Sequence, residues 1–200
     1  MVTDRLPRKT ALRAQFEASD RLISLELPDD DLLSAPAKEI EAVMQGSRGD
    51  IRSACADFLS AAADFYGVST PEVAALAARP LRVREGGWAT ELFGDYELAT
   101  ARIRIWTRTA VRKRVTSYGT FLSTLCHEFC HHLDCRRLGF RQTPHTRGFY
   151  ERGAALYHHA RGTPAKKLFW VRMPDGRWRI DWQKVNAETR GAESAVRARA

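Results

Sequence analysis

The sequence predicts an α+β domain: a small, mostly antiparallel sheet packs on one central helix, and further N-terminal helices cover it. Two patterns and one bound carry that expectation. Apolar residues recur at the helical period over 47–66 and again over 117–139, and they alternate with polar ones over 98–108. The chain has 200 residues, 44% apolar and 28% charged, which suits one compact core and is the balance of a globular protein.

Residues 8–27 read as an amphipathic helix running into a short apolar stretch. The acidic run Asp29, Asp30 and Asp31, between Pro28 and Pro36, marks a turn or linker, and 39–45 reads as a short helix. Ser47 is an N-cap with Asp50 three residues on. The helix it starts places Ile51, Ala54, Cys55, Phe58, Leu59, Ala62, Phe65 and Tyr66 on one face, and Gly67 stops it. Thr70-Pro71-Glu72 opens another short helix, ended by Pro80. Leu81, Val83 and Glu85 then read as a strand before Gly86-Gly87. Further on, Arg102, Arg104, Trp106 and Arg108 face one way while Ala101, Ile103, Ile105 and Thr107 face the other. That is a half-buried strand, and its charged face places it at a sheet edge. Ser117 starts the next helix, striped by Leu122, Leu125, Phe129 and Leu133 and ended by Gly139. A loop with Pro144 leads to a helix over 146–160, stopped by Gly162. LFWVRM-PDGR-WRIDW reads as a hairpin turning at Asp175-Gly176, and 187–200 as a frayed polar tail.

Composition excludes several classes. No run of about 18 apolar residues exists to span a membrane. The charged N-terminal stretch lacks the apolar segment of a secretory signal, so the expected location is cytoplasmic. Cys55, Cys126, Cys130 and Cys135 form no paired CxxC knuckles, and three of them crowd one helix, where disulfide geometry is rarely met. They are expected as reduced core residues. The net charge of +8 favours polyanionic partners through long-range attraction.

All six histidines lie between positions 127 and 159. His127-Glu128-Phe129-Cys130-His131 fits HExxH, a pattern that chance produces in roughly one chain in a hundred of this length and composition. Residues four apart on a helix sit one above the other, so both imidazoles can reach one tetrahedral zinc ion. Glu128, beside the first histidine, is placed to act as general base on a water at the metal. A catalytic site needs a third protein ligand. His145, where a new helix starts, is the best candidate, and Glu151 is the alternative. His132 points about 100° away from His131 on the helix. His158 and His159 lie more than three turns into the following helix.

HEFCHHLD followed by HTRGFYER resembles the SprT-like and WLM-type metallopeptidases of the zincin superfamily, over roughly residues 95–160. The resemblance implies a zincin-like fold, zinc on His127, His131 and His145, Glu128 as catalytic base, and a protein or peptide substrate. It also implies that an edge strand upstream of the active helix pairs with substrate backbone, which would be 101–107. Several SprT-like proteins carry a cysteine zinc ribbon after the core; this chain ends instead in the aromatic-basic hairpin. The expected organisation is an N-terminal helical region 1–80, a metallopeptidase core 81–162, a hairpin 163–186 and a tail 187–200.

Other features have a chemical and a plainer reading. Asp134 shares the ligand face and would fix the tautomer of a ligand imidazole, or make a surface ion pair with Arg137 or Arg141. Tyr150, Tyr157, Arg147 and Arg152 could stabilise a tetrahedral intermediate, though packing or exposure is the plainer role for each. The basic strand 102–114 and the hairpin, with Trp170, Trp178 and Trp182 among lysines and arginines, would suit single-stranded nucleic acid. They equally suit a solvated hairpin covering the core. Two rivals to a zinc endopeptidase follow: a nucleic-acid-associated module with weak or no catalysis, and a zinc amidase on a non-peptide substrate. The sequence is silent on oligomeric state.

Overall fold

The computed structural model describes residues 1–29, 31–83 and 89–197. Among them, three helices come first: α1 (Thr10–Arg21), α2 (Ser34–Val43) and α3 (Arg48–Tyr66). The strands β1 (Glu72–Ala78), β2 (Leu81–Val83), β3 (Ala89–Glu91), β4 (Gly94–Glu97) and β5 (Arg102–Arg108) follow. Helices α4 (Tyr118–Arg136) and α5 (Arg147–Arg161), strands β6 (Trp170–Arg172) and β7 (Trp178–Ile180), and α6 (Trp182–Arg197) complete the order. The class is α+β. No described helix is long and apolar enough to cross a membrane.

The caps read from the sequence form. Ser47 and Asp50 make a reciprocal capping box, and Gly67 closes α3 in the left-handed conformation at φ 63°. Ser117 accepts from the Thr120 N–H at the start of α4. Thr146 caps α5, and Gly162 ends it at φ 65°. Gly176 takes the hairpin turn at φ 84°. The described part of the strand expected at Leu81 and Val83 pairs with β3. Glu85 and Gly86-Gly87 lie outside the described residues, as does Asp30 of the acidic run.

The main sheet has the order β1-β5-β4 and is mixed. β1 runs parallel to β5, whereas β4 runs antiparallel to it. Two two-stranded antiparallel sheets, β2-β3 and β6-β7, stand apart. Three expectations change here. Residues 72–78 form a strand, not the short helix that Pro71 and the alanines suggest. Propensity favours helix, but the ladder to β5 and the burial of Val73 outweigh it. Next, the strand over 102–108 is central rather than an edge. Its charges mark an open sheet face, where Arg102 meets Glu72 at 3.4 Å and Arg104 meets Asp95 at 2.7 Å. Last, α6 starts at Trp182, inside the expected hairpin, and runs on through the expected tail to Arg197; Asp181 starts it, its carboxylate accepting from the Lys184 N–H at 3.1 Å.

Helix α3 packs against β1, and α4 against β4 and β5. The core between them holds Phe58, Leu59, Ile103, Ile105, Leu122, Leu125 and Phe129, each with no exposed surface. Helix α5 packs on α4, with α1 and α2 against α5. This leaves one face of α4, carrying the HExxH segment, between β4 and the loop into α5.

Candidate metal centre

His127 and His131 sit one turn apart on α4, where Leu125, Phe129 and Leu133 turn to the core. The loop after α4 turns back through a bond from Phe140 N–H to the Asp134 carbonyl at 2.8 Å and one from Thr143 N–H to the Phe140 carbonyl at 2.8 Å. That return brings His145 over the helix. Ligand-capable atoms of His127, His131 and His145 all lie within 4.8 Å of one another, so the three could hold a metal ion. Phe149 supports all three rings, with centroids 4.9, 4.4 and 5.1 Å from those of His127, His131 and His145.

The donor set fits a dication. His127 Nε2 and His145 Nε2 stand 3.1 Å apart. Two ligands on a tetrahedral ion with bonds of 2.0–2.1 Å would stand roughly 3.3 Å apart. Imidazole nitrogens this close must share a proton or a cation. Burial, with the charge of His145 adding to it, pulls His127 down to about 3, and burial holds His131 well below its usual range. Both rings are therefore neutral, the form that ligates.

Their outer nitrogens have partners. His131 Nδ1 lies 2.6 Å from Thr143 Oγ1, which donates to Asp134 Oδ2 at 3.4 Å. Asp134 Oδ1 accepts from Arg152 at 2.7 Å. Arg152 in turn donates to the Ser19 carbonyl at 3.2 Å and to the Leu22 carbonyl. Asp134 thus reaches the metal face through Thr143, and its ion pair is with Arg152 rather than Arg137 or Arg141. Burial pushes its carboxyl up to about 6 against the pull of Arg152. Thr143 escaped the sequence reading because its contact with His131 exists only after the loop folds back.

Glu128 lies on the β4 side of the helix and is 5% exposed. Gly94 of β4 approaches so closely that a Cβ there would stand 3.0 Å from Glu128 Oε1. Burial, with a contribution from Asp95, pushes the Glu128 carboxyl up to about 8.

The remaining candidates are engaged elsewhere. Tyr150 stacks on His145 at 5.7 Å, and its hydroxyl donates to the Val2 carbonyl at 3.0 Å. Arg147 pairs with Asp20 and lies over the Trp178 ring. Arg161 donates to the Tyr157 hydroxyl. Glu151, the alternative third ligand, accepts from Trp170 Nε1 at 2.9 Å and stands outside the cluster. His132 points away, bonded to Tyr96 at 3.0 Å and to the Ser69 carbonyl at 2.7 Å. His158 meets Thr163. Compared with protein-family models, with curated proteins and with solved structures, the chain matches none.

Proposed function

We propose that this chain is a zinc-dependent endopeptidase with a zincin-like core. The observation that carries the reading is three convergent imidazoles with a buried acid, Glu128, beside the first of them on the same helix. A purely structural metal site has no use for Glu128. His127, His131 and His145 would hold the ion. When bound, zinc supplies Lewis-acid polarisation of a carbonyl and acidifies water towards neutrality. Glu128 takes the proton of the attacking water and passes it to the leaving amine. Burial, with Asp95 adding to it, pushes its carboxyl up to about 8, and the charge of a bound dication would pull it back down, keeping it ionised to accept that proton.

That the bond cut is a peptide rests on the likeness of HEFCHHLD and HTRGFYER to SprT-like and WLM-type metallopeptidases. β4, the outer strand of the sheet beside Glu128, replaces 101–107 as the strand to which an extended substrate would add. No specific observation favours the nucleic-acid reading. Arg102 and Arg104 are tied to Glu72 and Asp95, while Trp170 bonds Glu151 and Trp178 lies under Arg147.

The test compares zinc content and peptide cleavage in wild type, Glu128→Gln and His145→Ala. Glu128→Gln is expected to keep zinc and lose cleavage by about 10²–10⁴-fold. His145→Ala should lose both. A wild type that carries no zinc, or a Glu128→Gln variant that still cleaves, refutes the proposal.

A further inference from the structure

We propose that Asp4 positions the ligand His145, making the strap of residues 1–4 part of the metal centre; this rests on the three-histidine zinc reading. His127 and His131 are held by a helix, but His145 precedes α5 and sits in a loop. Its orientation must come from elsewhere. Asp4 Oδ2 accepts from the His145 backbone N–H at 2.9 Å and lies 3.4 Å from His145 Nδ1. The Asp4 N–H returns a bond to the His145 carbonyl at 2.8 Å. The strap itself is fixed. Thr3 N–H donates to the Trp178 carbonyl at 2.8 Å, and Trp178 N–H donates to Thr3 Oγ1 at 2.9 Å. The Tyr150 hydroxyl holds the Val2 carbonyl from the other side, while its ring stacks on His145.

A carboxylate beside Nδ1 selects the Nδ1–H tautomer and leaves the Nε2 lone pair facing His127 Nε2. The Asp4 and His145 side chains are 54% and 33% exposed, so solvent screens their attraction. The gain is therefore in orientation and tautomer.

Zinc affinity is measured by competition with a chromophoric chelator for wild type, Asp4→Asn and Asp4→Ala, and the visible spectrum of each cobalt-loaded protein is recorded. Asp4→Asn keeps an oxygen for the His145 backbone N–H but loses the charge at Nδ1. It should weaken zinc about 10-fold and shift the cobalt bands, with the metal-free melting temperature unchanged; Asp4→Ala should lose about 10–100-fold. Wild-type affinity and spectrum in Asp4→Asn overturn the proposal while leaving the zinc site standing, whatever Asp4→Ala does. A wild type that takes up no zinc overturns both.

Discussion

Thr143 takes φ 38°, a conformation that β-branched side chains rarely adopt and that costs about 1–3 kcal/mol. Its hydroxyl, between His131 Nδ1 and Asp134, accounts for a threonine there. With its own hydrogen given to Asp134, Oγ1 can only accept from His131, which fixes the Nδ1–H tautomer and frees Nε2. Thr143→Val keeps the branched shape and removes the bridge, so zinc affinity should fall about 10–100-fold in a chelator competition, while Thr143→Ser should hold near wild type. Equal affinity in the valine variant would count against the bridge. The site residues divide by how local their relation is. His127, Glu128 and His131 were legible because helical spacing alone aligns them. Thr143 and Asp4 were not: one depends on a loop returning to its own helix, the other on a contact across 141 positions.

Two glycines carry the element-scale argument. A Cβ on Gly94 would meet Thr124 Cγ2 at 2.7 Å and Glu128 Cγ at 3.0 Å, so β4 lies against α4 at Glu128. Gly94→Ala should displace Glu128 and lower kcat at least about 10-fold with zinc stoichiometry unchanged, because the three ligands lie off that contact. Loss of zinc along with activity would show that the strand supports the ligands as well. A Cβ on Gly148 would sit 2.1 Å from the Ser19 carbonyl oxygen, and backbone cannot swing aside. Gly148→Ala should therefore push α1 off α5 and destabilise the fold by about 1–3 kcal/mol or more in urea unfolding. Helices with marked caps were readable element by element, as Ser47, Ser117 and Gly162 demonstrate. Strand 72–78 was not, since its alanines carry helical propensity and only the partner β5 decides otherwise. Helix α6 was not legible either: Asp181 and Trp182 read as the end of the hairpin, and only the Asp181 bond to the Lys184 N–H marks the helix start.

Across the whole molecule, the α+β class followed from periodicity, but the sheet order did not, because pairing β1 with β5 joins residues about thirty positions apart and no local pattern encodes which strands meet. The same non-locality would give an ion held by the three histidines leverage on stability. An ion on His127, His131 and His145 ties α4 to the loop before α5, and through His145 to the strap that pairs with the hairpin. These contacts exist only in the folded chain. Binding confined to that state adds about 2.7 kcal/mol at a free zinc concentration one hundred times Kd. For a chain of this length each kcal/mol moves the melting temperature by about 2–4 °C. Saturating zinc should therefore raise the midpoint by about 5–10 °C, and EDTA should return it to the metal-free value. His145→Ala separates this from loose binding by the unfolded chain's other histidines: its midpoint should stay fixed as zinc is added. A wild-type midpoint indifferent to zinc, or a shift that survives in His145→Ala, would mean that the native three-histidine cluster is not where the ion binds.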